Sequence, residues 1–197
     1  MQLHKRDVVA KAAAILDSYG IADLTMRRVA RELDVTPGAL YWHFANKQEL
    51  LGAVADRVLA PACADPEPTG WRMRIEVVCR ALRDALLSHT DGAELVSASF
   101  AAGQSRAVEQ LLGVLAEAAG EAGVDAAHRV QAARTVLHYV LGATADEQSR
   151  LQWDAAGAEL PEHQSVLSGD PSAGFAFGLR LLTDGLAAQR VSSTESG

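Results

Sequence analysis

The chain has 197 residues, 49% of them hydrophobic and 22% charged, a globular composition long enough to bury a core. A net charge of −7 excludes a uniformly basic nucleic-acid coat. The two cysteines, Cys63 and Cys79, make neither a disulfide framework nor a metal set and fit a reducing cytosol. No run approaches the roughly 20 apolar residues needed to span a bilayer, and the opening MQLHKRDVVAKAAAIL is broken by charge, unlike a secretion signal.

Ala and Leu abound, and no stretch alternates apolar and polar residues with period two, so the whole chain is predicted helical. The first helix spans 5–19, with Val8, Ala12, Ile15, Leu16 and Tyr19 on its inner face and Gly20 as its C-cap. Thr25 caps a second helix over 26–33, with Val29 and Leu33 pointing inward. Thr36 caps a third, from Pro37 to Phe44, in which proline occupies the first helical position. Asn46 and Glu49 form a capping box for a fourth helix that runs to Leu59. The Pro-rich APACADPEPTG, 60–70, then separates a head (1–60) from a body (71–190). In the body, helices are expected over 71–88, from the cap-like pair Asp91 and Glu94 to Ala101, over 105–122, from Asp125 to Ser149, and from Asp170–Pro171 to Gln189. A loop precedes the last helix, and the terminal VSSTESG is expected to fray.

The second and third helices are joined by only LDV, a helix-turn-helix spacing in which the second member enters the DNA major groove. Leu40 and Phe44, four apart, can hold the third helix to the head, leaving Gly38, Ala39, Tyr41, Trp42 and His43 on its other surface. Thr25, Tyr41 and Lys47 can donate to phosphate oxygens, as can the backbone N–H groups at helix starts near Thr36 and Pro37. Arg27 and Arg28 begin the second helix and can meet phosphate or a guanine edge. Arg31 is expected to be solvated, Trp42 to pack, and His43 is open to either role. The same spacing also serves as a plain corner in helical bundles, so spacing alone leaves both readings open. Residues 1–60 carry eight Lys or Arg against seven acids, so the acidity lies in the body and a polyanion would meet the head.

The run LTMRRVARELDVTPGALYWHFANKQELL resembles the DNA-binding head of the TetR family of bacterial transcription regulators, particularly its tetracycline repressors. ALLSHTDGAEL, HYVLGATADEQ and GFAFGLRLLTDGL extend the resemblance, more weakly, through the body. It implies an all-α protein with an N-terminal helix-turn-helix DNA-binding head and a C-terminal ligand-binding and dimerisation body. It also implies a homodimer on a palindromic double-stranded DNA operator, joined by the last two long helices and released by a small-molecule inducer. The apolar Val136, Val140, Phe175, Phe177, Leu179, Leu182 and Leu186 would supply the joint, unless they form the core of one subunit. The resemblance further places Val78, Leu82, Phe100, Leu112, Leu115 and His138 along a ligand pocket.

One departure narrows the ligand. The resemblance puts Val96 where tetracycline repressors carry a histidine that holds drug-borne magnesium, and Pro61 or Cys63 near another of their histidines. Valine cannot coordinate a hard cation. Magnesium–tetracycline is therefore not the expected inducer; a larger, flatter, mostly apolar molecule is. Asp146 and Glu147 are expected to face solvent or a partner subunit. No cofactor or metal is expected. His4, His43, His89, His128, His138 and His163 show no metal spacing, and no nucleophile triad or phosphate loop is present, which disfavours an enzyme. Besides a repressor, an activator, a regulator with no ligand, and a helical protein-interaction module remain as alternatives.

Overall fold

In the computed structural model, which describes residues 3–64, 70–158, 161 and 170–192 (side chains only to 189 in the last segment), helix follows helix with no strand among the described residues. The head comprises α1 (Lys5–Tyr19), α2 (Met26–Glu32), α3 (Pro37–Tyr41) and α4 (Lys47–Leu59), closed by a 3-10 turn at Ala60–Cys63. The body comprises α5 (Trp71–Leu87), α6 (Gly92–Ala101), α7 (Arg106–Ala122), α8 (Arg129–Ala155) and α9 (Pro171–Ser192).

Local signals explain most boundaries. The Arg28 N–H donates to Thr25 Oγ1 at 3.2 Å, and the Glu49 N–H to Asn46 Oδ1 at 2.8 Å. Glu49 reaches back one residue beyond its cap and accepts the Ala45 N–H at 2.8 Å. That bond chiefly, helped by Lys5, holds the Glu49 carboxyl below its ordinary range. Thr36 stands at the N-cap of α3, but its hydroxyl makes no cap bond, contrary to expectation. The α2–α3 turn is a Schellman type: the Val35 N–H returns to the Ala30 carbonyl at 3.0 Å while Asp34 adopts φ 54°.

Three expected boundaries move. Helix α3 ends at Tyr41, not Phe44, although the Phe44 N–H still bonds the Leu40 carbonyl at 2.9 Å. Helix α8 starts at Arg129 because the Asp125 carboxylate takes the Ala127 N–H at 2.9 Å and makes a separate turn of 125–128; it then continues to Ala155. Asp91 does not cap α6 with its side chain; it sits at φ 52° and spends its carboxylate elsewhere. Most of the loop expected before α9, with His163, and the end of the terminal tail lie outside the described residues.

One core runs through head and body. Val8, Leu16, Val29, Leu40, Phe44 and Val54 fill the head, and α4 then packs on α6 and α7. Helix α5 packs on α7 and α8, and α9 lies along α8. Tyr19, expected on the inner face of α1, is exposed, and Arg28 stacks over its ring at 3.7 Å from the centroid.

A candidate nucleic-acid interface and a cleft in the body

Helix α3 has barely more than one turn, so it can bury only one face. Leu40 and Phe44, both fully buried, take that face. Lys5 lies 4.6 Å from the Phe44 ring centroid and ties α1 to Glu49 of α4 at 3.4 Å. The opposite face projects Tyr41 and Trp42, with Trp42 91% exposed. Trp42 therefore does not pack as the sequence suggested; its site was missed because a bulky aromatic is usually a core residue. Thr36, Pro37 and Gly38 are exposed at the same end, Ala39, His43 and Lys47 are half-buried, and Thr25 and Arg27 are exposed on the neighbouring α2.

The three arginines of α2 divide. All three line an open cleft of about 400 Å³ with Thr25 and Asp23, but only Arg27 and Arg31 are exposed. The Arg28 side chain is only 18% exposed, pairs with Asp23 and covers Tyr19. Its Nε is buried without a hydrogen-bond partner. The structure thus gathers Thr25, Arg27, Thr36, Pro37, Gly38, Tyr41 and Lys47 around one projecting helix, and turns Arg28 inward.

The head is joined to the body by two polar clasps that pair residues far apart in sequence. At the first, the Asp91 carboxylate accepts the Ile21 N–H and the Gln152 amide, each at 2.9 Å. Beside it, His89 Nδ1 meets Asp17 Oδ1 at 2.9 Å and the Thr90 hydroxyl donates to the Asp17 carbonyl at 3.0 Å. Gly20, at φ 77°, permits this approach, since a Cβ there would lie 2.5 Å from Asp91 Oδ2. At the second clasp, Asp56 of α4 accepts the Ser105 hydroxyl at 2.7 Å and the Ala107 N–H at 2.9 Å, capping α7 from another helix. One turn earlier on α4, Gly52 lets the Gln104 carbonyl come so close that a Cβ would stand 2.1 Å from it.

In the body, Val78, Leu82, Val96 and Leu115 are fully buried members of the core, and Leu112 packs against it. Phe100 and His138 meet at 5.7 Å between ring centroids. They line a cleft of about 470 Å³ between α6 and α8, together with Ser97, Ala101, Arg134, Leu141 and Gly142. Arg83 of α5 forks onto Glu147 with bonds of 2.9 and 2.7 Å, both side chains nearly buried, and Asp146 pairs with Arg150. Glu147 is therefore an internal strut, not a solvent or partner contact. Neither acid pairs with His138. Burial pushes the Cys79 thiol up to about 12.

The expected joint also divides. Val136, Val140, Phe175 and Leu179 are buried within one subunit, and the Tyr139 hydroxyl donates to the Phe175 carbonyl at 2.7 Å. Phe177 and Leu181 of α9 stay exposed, as do Val130 and Trp153 of α8.

Comparison with known proteins gives this geometry a family. Residues 8–54 match the model of bacterial regulatory proteins of the tetR family, and residues 64–190 match that of the tetracyclin repressor-like C-terminal domain. The chain belongs to the TetR family. Among TetR-family relatives, the class A tetracycline repressor of transposon 1721 from Escherichia coli is 32% identical, across 96% of this chain and 93% of that one. Solved structures come nearer. BioQ of Mycobacterium smegmatis is 65% identical, with a TM-score of 0.89, covering 95% of this chain and 99% of that one. BioQ crystallised with its natural double-stranded DNA operator is 62% identical at a TM-score of 0.83, with the same coverages. TetR-Q116A from Acinetobacter baumannii AYE in complex with minocycline is 31% identical at 0.72, covering 96% and 99%. The all-helical fold and the TetR membership expected from the sequence both stand. The matched proteins are transcriptional regulators, and no described helix is long and apolar enough to cross a membrane.

Proposed function

We propose that the protein is a cytoplasmic, ligand-responsive transcriptional repressor that binds a palindromic operator as a homodimer. The observation that carries the reading is the two-sided α3, whose Leu40 and Phe44 are buried while Tyr41 and Trp42 project from the surface. Such a helix gains little stability alone, and its exposed aromatic face is explained by a partner. Tyr41, Trp42 and the small residues Gly38 and Ala39 approach the groove floor; Thr25, Arg27, Thr36 and Lys47 hold phosphates, joined by N–H groups at helix starts. His43 steadies this face, and Arg28 contributes once released from Asp23. BioQ, of which 62% of the aligned residues are shared, is seen on its operator, and this supports the same use of the head here.

The exposed Phe177 and Leu181 on α9 and Val130 on α8 suit burial against a second copy. Two heads then address successive major grooves about 34–36 Å apart. A small, largely apolar molecule in the body, near Val78, Leu82, Val96, Phe100, Leu112, Leu115 and His138, favours a dimer whose head spacing no longer fits. The clasps at Asp91 and Asp56 carry that shift, since they join α1 and α4 of the head to the N-termini of α6 and α7. Going from 1:99 to 99:1 needs about 5.5 kcal/mol of differential affinity.

The test is a fluorescence-anisotropy titration of the duplex upstream of the protein's own gene, at about 50 and 200 mM salt, with a scrambled duplex as control. Selective binding that weakens steeply with salt is expected. Equal affinity for both duplexes, or none, would overturn the reading.

A further inference from the structure

The cleft between α6 and α8 has a chemistry that an apolar ligand alone does not explain. Its wall is apolar at Phe100, Ala101, Leu141 and Gly142, but Arg134, His138 and Ser97 also line it. Within the body, Arg72, Arg74, Arg80, Arg83 and Arg150 each hold a carboxylate. Arg134, like Arg106, Arg129 and Arg180, has no carboxylate within ion-pair reach among the described residues; it is exposed, and its guanidinium rests 5.4 Å from the Phe100 ring centroid, inside the cleft. The same ring touches His138 on its other contact. The Arg134 donors are therefore open to a ligand anion that enters the cleft.

We infer that this cleft binds a planar aromatic carboxylate, its ring against Phe100 and its carboxylate on Arg134. The inference rests on the ligand-responsive reading and specifies the class of its ligand. A guanidinium presents a rigid fork of donors that matches a carboxylate in two parallel hydrogen bonds. His138 lies one helical turn beyond Arg134 on α8, so its ring nitrogen and the Ser97 hydroxyl can complete the shell around the anion. Phe100 gives a stacking surface for a flat ring, already shaped by its contact with His138. The cleft lies on the flank of α8 that faces α6. Helix α9 meets the adjoining flank, bearing Gln131, Thr135 and Val136, so the carboxylate site lies beside the proposed joint between copies. An anion would also lessen the positive charge that Arg134 leaves unpaired at the end of α6, the helix adjoining both clasps.

The decisive experiment is calorimetric titration of the full-length protein with naphthoate and with naphthamide, its uncharged counterpart of nearly equal shape. Wild type is expected to prefer naphthoate by about tenfold or more, in keeping with a charge-assisted pair. Arg134→Gln should bind both equally, and Arg134→Lys should keep part of the preference, with circular dichroism unchanged. Equal affinity of the wild type for the two, binding of neither, or a preference that survives Arg134→Gln would overturn the inference. Anisotropy on the operator duplex is run in parallel. Loss of duplex binding by the wild type overturns the regulator reading, while the calorimetry still decides the cleft.

Discussion

Replacing Asp56 with alanine removes one carboxylate oxygen that receives both the Ser105 hydroxyl at 2.7 Å and the Ala107 N–H at 2.9 Å. Hydrogen bonds to a charged group contribute about 1.5–3 kcal/mol each, and a carboxylate at a helix N-terminus about 0.3–1 kcal/mol more. Two things reduce the sum. Asp56 is only half-buried, and Ser105 keeps a second bond, since its oxygen accepts the Val108 N–H at 3.2 Å. The expected loss is therefore about 2–4 kcal/mol for Asp56→Ala and about 1 kcal/mol for Asp56→Asn, which keeps an acceptor but no charge. Urea unfolding at fixed protein concentration measures the loss, because dimerisation makes the midpoint depend on concentration. Hydrogen exchange locates it: the Ala107 and Val108 amides should lose protection while α3 keeps its own. An alanine variant within about 0.5 kcal/mol of wild type, the range of ordinary surface changes, would refute the assignment of Asp56 as a strut between head and body.

Trp42→Ala should leave stability within about 0.5 kcal/mol, since the side chain is 91% exposed, yet weaken operator binding in the anisotropy assay; unchanged binding would remove α3 from the interface. Asp34→Gly should stabilise the head by up to about 1 kcal/mol in urea unfolding, by relieving a left-handed φ of 54° at a helix C-terminus. Cys79, fully buried with its thiol pushed up to about 12, is neutral at ordinary pH, and its thiolate gains population only as pH rises toward that value. Iodoacetamide at about pH 8 should leave it unmodified by mass spectrometry until urea exposes it; rapid native labelling would contradict its burial.

Where structure depends on neighbours within four residues, the sequence was enough. Thr25, Asn46, Pro37 and Gly20 marked helix ends because capping is local chemistry, and the three- and four-residue spacing of Val8, Ala12, Ile15 and Leu16 gave the buried stripe of α1. What escaped was set by partners tens of residues away. Asp91 read as a cap, but its carboxylate goes to Ile21 and Gln152. Asp56 and Gly52 looked like unremarked positions on a helix, and only the arrival of the 104–107 segment gives them work. Trp42 and Arg28 exchanged places for a related reason. A short helix cannot bury a second large ring, while an arginine beside Asp23 and Tyr19 finds charge and aromatic surface close at hand. The pocket was legible only in part: Phe100 and His138 do come together, but nothing in the spacing of α8 singled out Arg134 beside them.

The two clasps carry a lesson for anyone building hybrid regulators. A head transplanted from a relative brings its own α1 and α4 but leaves behind the donors and acceptors it was matched to. Grafting this head onto a foreign body would therefore require moving 89–91 and 104–107 with it, and a splice drawn at the Pro-rich junction alone would leave Asp17, Ile21 and Asp56 facing strangers.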